Sequence, residues 1–414
     1  MLFRKLLTLD EARDAIHSRL NIKPLGIEEI SLSSAYDRVV AEKIKATLDI
    51  PPFNRSTVDG YAVKAEDTYG ADENNLVTLR VVGSVSVGES PKIAIGKGEV
   101  AEIVTGAPIP EGANAAVMVE DTERKEDKLE ISSSVTKDEN VMKKGADIKK
   151  GEVIYEAGKV LRSRETGVLA AIGKAKVKVY IIPKVAVLST GAEVAELGHK
   201  LPPGKIYDIN AYSLGAAVIE NGGKPIYFGV VPDERAKLRS ALEQSLASAD
   251  MVMTSGGVSV GPKDIIPETI ASLGEPGLIF SGIAVKPGKP ATAALIGRKP
   301  VFSFPGHPTS ALLMFHLLAR PVLRQMAGRP LSEIEVVNAF SKVRMFAAKG
   351  RRTFVMVKLD RNEDNQFIAE PVETGGSGAI STLAKADGFV EIPENQQFVD
   401  AGKEVVVTIL GSRN

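Results

Sequence analysis

MVMTSGGVSVGPKD, residues 251–264, reads as a short apolar strand that runs directly into a loop of glycine, serine and proline ending at Asp264. An apolar run of this length between Gly-rich turns fits a strand buried on both faces, and the glycines allow backbone to approach a ligand closely. Two other segments follow the same pattern. Residues 185–188 lead into Ser189-Thr190-Gly191-Ala192-Glu193, and residues 301–304 lead into Pro305-Gly306-His307-Pro308-Thr309-Ser310. Further strand-like runs cover 226–231 and 278–285, with helical periodicity over 211–221, 234–248 and 310–326. Strands alternating with helices imply a parallel sheet covered by helices, so residues 183–330 are expected to form an α/β domain. Ligands of such sheets bind beyond the carboxyl ends of the strands, and all three loops should open on that edge.

Outward from this domain the pattern changes. Thr8-Leu9-Asp10-Glu11 is a capping box, and Leu9, Ala12, Ile16 and Leu20 then fall on one helical face. Residues 48–147 carry short β-branched runs punctuated by Gly and Pro, which predict a small β domain; 121–140 reads as a hairpin with a surface loop. Helical character returns near 161–171. From 331 to 414 the chain is again β-rich. The total length of 414 residues implies roughly two to four domains.

Composition narrows the chemistry. Lys+Arg and Asp+Glu are both 52 and aromatic residues are 5 %, which argues against a nucleic-acid partner. With no cysteine there is no disulfide and no thiolate ligand or nucleophile. The four histidines do not pair at zinc-ligand spacing, leaving a hard cation on carboxylates as the metal option. The N-terminus lacks a signal-peptide cleavage site, and the most apolar stretch, 311–323, is short and interrupted by His316, Arg320 and Pro321. A cytoplasmic location and no membrane contact are expected.

The three loops are read as a phosphate-shaped edge, where helix N-termini favour anions, although a tight turn with nothing bound would share the same sequence. Ser255, Gly256 and Gly257 would line it. Glu193 and Asp264 end two of the loops and suit either a divalent cation bridging phosphates or the dipoles of the following helices. Lys286 and Lys289, in the stiff turn AVKPGKP (284–290), suit an oxyanion or an exposed basic turn, and Gly350-Arg351-Arg352 offers a second cationic spot. The loops match neither GxGxxG nor GxxxxGK[ST], so a dinucleotide fold and a P-loop kinase are unsupported.

Taken in order, PPFNRSTVDGYAV (51–63), IVTGAPIPEGA (103–113), STGAE (189–193), TSGGVSVGPKD (254–264), AVKPGKP (284–290) and FPGHPTSA (304–311) resemble the signature segments of the molybdopterin molybdenumtransferases, the family that includes the C-terminal domain of gephyrin. The resemblance covers essentially the whole chain; the GGVS and PGxP elements are shared with a sibling family that adenylates molybdopterin. It implies a helical dimerisation part in two segments (1–47 and 148–182), an inserted β domain (48–147), the α/β molybdopterin-binding domain (183–330) and a C-terminal β domain (331–414). It also implies an elongated homodimer with the active site in a cleft between subunits, where Asp59 of one subunit meets the α/β domain of the other.

Carried over position by position, the resemblance makes Asp59, Asp233, Asp264 and Glu193 the candidate catalytic residues, with Glu193 and Asp264 as ligands of Mg²⁺. Thr105 and Asp147 match the TGAP and GxD positions, and Ser259 the α/β site. Lys286, Lys289, Pro290, Ser310, Arg351 and Ser377 match positions tied to substrate or molybdate, while Pro305 and Pro308 shape the last loop. The chain departs from the pattern at Asn54-Arg55 and His307. The reaction implied is molybdate plus adenylated molybdopterin giving molybdenum cofactor and AMP. The substrate's dithiolene would bind the metal, so the protein needs no sulfur. Alternatives are a gephyrin-like scaffold, whose upstream domains are not expected here, and the adenylating enzyme, against which the extra β domains argue. The adenylating enzyme is also a candidate partner, and tungstate could replace molybdate as a dianion of similar shape.

Overall fold

The computed structural model describes residues 6–257, 265–331, 335–372 and 380–411. Helix α1 (Leu9–Arg19) starts on the capping box: the Thr8 hydroxyl accepts from the Glu11 amide and the Glu11 carboxylate accepts from the Thr8 amide. Its buried face, Leu9, Ala12 and Ile16, joins the core of the α/β domain beside Phe280, Ile283 and Leu317. Burial of the two large aliphatic side chains is worth about 2 kcal/mol each. A proline far along the chain helps to hold the helix there. Pro321 has no N–H to give the Leu317 carbonyl, and the backbone widens into a π-turn over Phe315–Ala319. The Leu317 oxygen accepts from Nε of Arg13 on α1 at 3.4 Å.

Four strands of the α/β domain run parallel, in the spatial order Lys224–Val231, Lys184–Thr190, Met251–Ser255, Lys299–Phe304. Two antiparallel strands, Thr292–Ile296 and Pro276–Ser281, extend the sheet beyond the expected parallel set. The alanine-rich ATAALI carries little β-branching, which hides that strand in the sequence. Helices Asn210–Glu220, Arg235–Ser248, Ile266–Ala271, Pro308–Met314 and Arg320–Met326 complete the domain.

The segments on either side of the insert share one core, in which Ala35, Val40 and Ile44 meet Leu161, Leu169 and Ile172. One α-helix, Ser163–Ala171, and a single 3-10 turn, Leu32–Ser34, belong to it, together with the antiparallel pairs Ile27–Ser31 with Lys176–Tyr180 and Ile44–Lys45 with Val153–Tyr155. Its helical content is thus lower than the sequence suggests. The insert contains a six-stranded sheet, entered and left through a neck where Ile50 pairs with Ile148. The hairpin expected within 121–140 is formed by Thr122–Lys125 and Lys128–Ile131.

In the C-terminal domain the strands Arg352–Arg361, Phe367–Pro371, Val336–Ser341, Glu404–Ile409 and Gly388–Ile392 close on themselves, because the first also pairs with the last. Closure removes the exposed edges of an open sheet. A short strand of the α/β domain, Val285–Lys286, joins this barrel in parallel with Arg352–Thr353. On its other side the backbone at Ile283 and Ala284 meets Leu7, whose carbonyl accepts from Ala284 N at 2.7 Å. Arg352 completes the joint with a bidentate bond to Asp10 of α1, at 2.7 and 3.0 Å.

Two outcomes are expected from this packing. Burial and the neighbouring Arg320 charge push the His316 imidazole down to about 4. The folded state therefore holds it neutral while the unfolded chain takes up a proton near pH 6.5, so stability falls as pH drops through the window from 6.5 to 4, by on the order of 3 kcal/mol. His316→Phe should make the thermal midpoint less pH-dependent in that window; an unchanged slope would rule out His316 as its source. At Gly60 a Cβ would lie 1.9 Å from the Val117 carbonyl oxygen. Gly60→Ala should destabilise the inserted domain by about 1–3 kcal/mol, read as faster amide exchange in strands Gly60–Val63 and Ala115–Met118.

Candidate active site

The carboxyl ends of three adjacent strands lie in one row, with Ser189 beside Ser255 and Ser255 beside Phe304. The three loops therefore leave the sheet at one edge, the second being described as far as Gly257. Gly256 makes their close approach possible: its φ is +88° and a Cβ there would sit 2.1 Å from the Thr190 carbonyl oxygen, while its amide donates to the Phe304 carbonyl at 3.1 Å. In the last loop, Pro308 is the first residue of its helix, where no N–H is required.

Above this edge, between the α/β and C-terminal domains, is a cavity of about 1350 Å³. Ser255, Gly256, Pro305, Pro308 and Ser310 line its loop side, with Ser255 and Ser310 almost wholly buried. Lys286, Lys289 and Pro290 reach it from the α/β domain and Arg351 from the C-terminal domain. The three cations come from segments some sixty residues apart, joined by the pairing of Val285–Lys286 with Arg352–Thr353. Arg351 and Arg352 are neighbours with separate fates. Arg352 is bonded to Asp10, Glu391 and Glu394, and these carboxylates, Asp10 first, raise its pKa further. Arg351 faces the cavity.

Glu193 lines the same cavity and folds its carboxylate over Gly191, 2.8 Å from where a Cβ would be. Asp233, at the end of the neighbouring strand, is close enough to feel it: burial first, and then the Glu193 charge, raise the Asp233 pKa. Among the described residues no group of three His, Asp or Glu side chains is placed to hold a metal. Two mutually repelling carboxylates nonetheless fit the usual way a small divalent cation is held, with one or two carboxylates and the rest from substrate phosphates and water. Ser259, Asp264 and Ser377 lie outside the described residues.

Sequence reasoning missed the segment before helix Asn210–Glu220. Asp208 accepts from the Ser189 hydroxyl at 2.8 Å and from the Ala211 amide at 3.0 Å. The Asn210 amide nitrogen donates to Ser255 Oγ at 2.5 Å and to the Gly306 carbonyl at 2.8 Å, tying the second and third loops together, and among the described residues its buried oxygen has no partner. The available signal was Asp-x-Asn at a helix start, which reads as an ordinary cap. His307, the departure in the last loop, also borders the cavity.

Asp59 and Thr105 form a separate pair, and Asp147 lies at the neck of the insert. Asp59 is exposed at the start of strand Gly60–Val63, and one of its oxygens accepts from both the amide and the hydroxyl of Thr105, at 2.6 and 2.9 Å. Those two bonds, the amide first, lower its pKa and keep it a carboxylate. Asp147 is exposed at the neck, where its amide donates to the Ile50 carbonyl. None of the three lines the cavity of the chain itself.

This architecture has close counterparts. Residues 7–173 match the family model for the MoeA N-terminal region (domain I and II), 186–325 that for a "Probable molybdopterin binding domain", and 338–410 that for the MoeA C-terminal region (domain IV). The chain is 34 % identical to the molybdopterin molybdenumtransferase of Nostoc sp., over 96 % of its own length and 93 % of the relative's. It is 33 % identical to that of Haemophilus influenzae, covering 97 % and 98 % of the two chains. Among solved structures it resembles the molybdopterin biosynthesis MoeA protein of Pyrococcus horikoshii, with a TM-score of 0.87 and 43 % identity across 98 % of this chain and 99 % of that one. With all the domains matched in order over nearly their full length, the chain belongs to the MoeA, or molybdopterin molybdenumtransferase, family.

Proposed function

We propose that the interdomain cavity is where molybdate meets adenylated molybdopterin, and that the chain inserts the molybdate, releasing AMP and molybdenum cofactor. The observation that carries this reading is the convergence of Lys286, Lys289 and Arg351, from two domains, on one cavity whose floor lies at the carboxyl ends of three adjacent strands. Two anions, an oxyanion and the diphosphate that links the pterin to AMP, must be held together there while water cleaves the anhydride bond, and three cations offset their repulsion. Ser255 and Ser310 supply hydroxyls, and Asn210 an acceptor, to orient the substrate. Mg²⁺, when bound, would neutralise the phosphates whose bond to AMP is broken; Glu193 and Asp233, with Asp264, are the residues that would hold it.

The chain acts as a homodimer in this reading, in the cytoplasm, and the enzyme that adenylates molybdopterin is its candidate supplier. Asp59, remote from the cavity lining of its own chain, serves the partner subunit's cavity. Kept ionised by Thr105, it is suited to orient a water or the cation rather than to donate a proton.

Release of AMP from adenylated molybdopterin, measured with molybdate and with tungstate, tests the reading. Oxyanion-dependent AMP release is expected; adenylation of molybdopterin from ATP without it would assign the chain to the sibling reaction. Lys286→Ala and Lys289→Ala should each raise the half-saturating molybdate concentration by about tenfold, the loss of one charge-assisted hydrogen bond. No change in either would place the oxyanion elsewhere. Asp59→Asn and Glu193→Gln homodimers should both be nearly inactive. After subunit exchange about half the dimers are mixed, each with one intact cleft of two, so activity should return to roughly a quarter of wild type. Mixed dimers that form, as seen by mass spectrometry of tagged subunits, yet stay inactive would confine Asp59 to its own subunit.

A further inference from the structure

We propose that the cavity contains a subsite for a flat heteroaromatic ring, with Phe346 as its stacking face; this rests on the function proposed above and specifies how the organic part of the substrate is recognised. Aromatic residues make up only 5 % of the chain, and the C-terminal domain covers two of its surface rings with guanidinium groups. The Arg361 guanidinium lies 4.0 Å from the Phe367 ring centre and that of Arg344 lies 4.7 Å from the Phe398 ring. Such cation–π lids reduce the cost of an exposed ring. Phe346 sits directly across the ladder from Phe398, in the pairing of Met345–Phe346 with Phe398–Val399, and is 70 % exposed. Among the described residues no cation or second ring covers it.

Phe346, the most exposed of them, borders the cavity with four other exposed apolar side chains, Ile380 of the C-terminal domain and Leu201, Ile206 and Tyr207 of the α/β domain. An apolar surface presented by both domains at one cavity is a binding feature rather than scattered surface hydrophobicity. The backbone under Phe346 is fixed by its strand pairing and by the next amide, Ala347 N, which donates to the Gln397 carbonyl at 2.8 Å. The ring is therefore carried on a rigid base, which suits stacking at low entropic cost. The same cavity presents Lys286, Lys289 and Arg351. A ligand that uses both features carries phosphate-like charge and a flat ring. Two parts of the proposed substrate have that chemistry: the adenine of the AMP portion and the pterin with its phosphate.

Calorimetric affinities for AMP, ribose 5-phosphate and free pterin, measured on the full chain as wild type, Phe346→Ala and Phe346→Tyr, separate these features. AMP should bind the wild type about tenfold more tightly than ribose 5-phosphate if adenine is the stacked ring. Phe346→Ala should then abolish most of that advantage and leave ribose 5-phosphate unchanged, while Phe346→Tyr retains it. Loss of pterin affinity alone in Phe346→Ala supports the same subsite with the pterin as its occupant. Unchanged affinity for both ring compounds in Phe346→Ala, with an unchanged melting midpoint, overturns the subsite while leaving the oxyanion pocket intact. Failure of the wild type to bind either phosphate compound overturns the functional reading beneath it.

Discussion

Two residues of backbone pairing turn two domains into one site. Val285–Lys286 leaves the α/β domain and adds to the C-terminal barrel beside Arg352–Thr353, and the peptide groups so joined fix the relative height of the residues that flank them. Lys286 and Arg351 come to one cavity because their backbones are in register. Hydrogen bonds between strands have a fixed spacing, so the joint sets position more finely than apolar contact alone can. Leu7 pairs on the far side, and Asp10 grips Arg352. The start of the chain thus braces a junction formed almost three hundred residues later.

Around that joint, charge is sorted by neighbours rather than by residue type. Arg351 and Arg352 are adjacent in sequence, but Arg351 closes a turn, its amide donating to the Ala348 carbonyl, while Arg352 opens the strand. One is saturated by Asp10, Glu391 and Glu394 and serves as a fastening; the other borders the cavity. The carboxylates divide similarly. Asp59 is held ionised by Thr105, while Asp233 is pushed the other way by burial and by Glu193. Neighbouring groups thus set the two carboxylates in opposite directions.

The loops after residues 190, 255 and 304 were legible in the sequence because glycine and proline after a short apolar run leave few alternatives. The lysines of 284–290 were legible as a cationic turn. Their partner was not: the run 278–285 reads as one strand, but Pro276–Ser281 ends before Gly282, and Val285–Lys286 belongs to another sheet. Tertiary pairing of two residues has no periodicity to detect. Asp208 and Asn210 were hidden for a different reason, since Asp-x-Asn at a helix start is what any capped helix shows. Of the adjacent pair Met345 and Phe346 only Met345 is buried, and no sequence pattern singled out the exposed ring. The apolar face of α1 was evident; that Phe280, Ile283 and Leu317 cover it could not be read from spacing.

The bond from Arg13 to the Leu317 carbonyl has a consequence for how the chain is made. Helix α1 is synthesised some three hundred residues before the proline that frees its anchoring carbonyl. At ribosomal speeds that gap is roughly fifteen seconds to a minute. During that time an eleven-residue helix is too short to be stable alone, and its apolar face has no partner. Its acidic first turn and the short, interrupted apolar stripe keep such a segment dissolved rather than sticky. Helix α1 thus finds its place long after it is made, and the cavity braced by it is completed only once the segment around Pro321 and Arg352 has emerged.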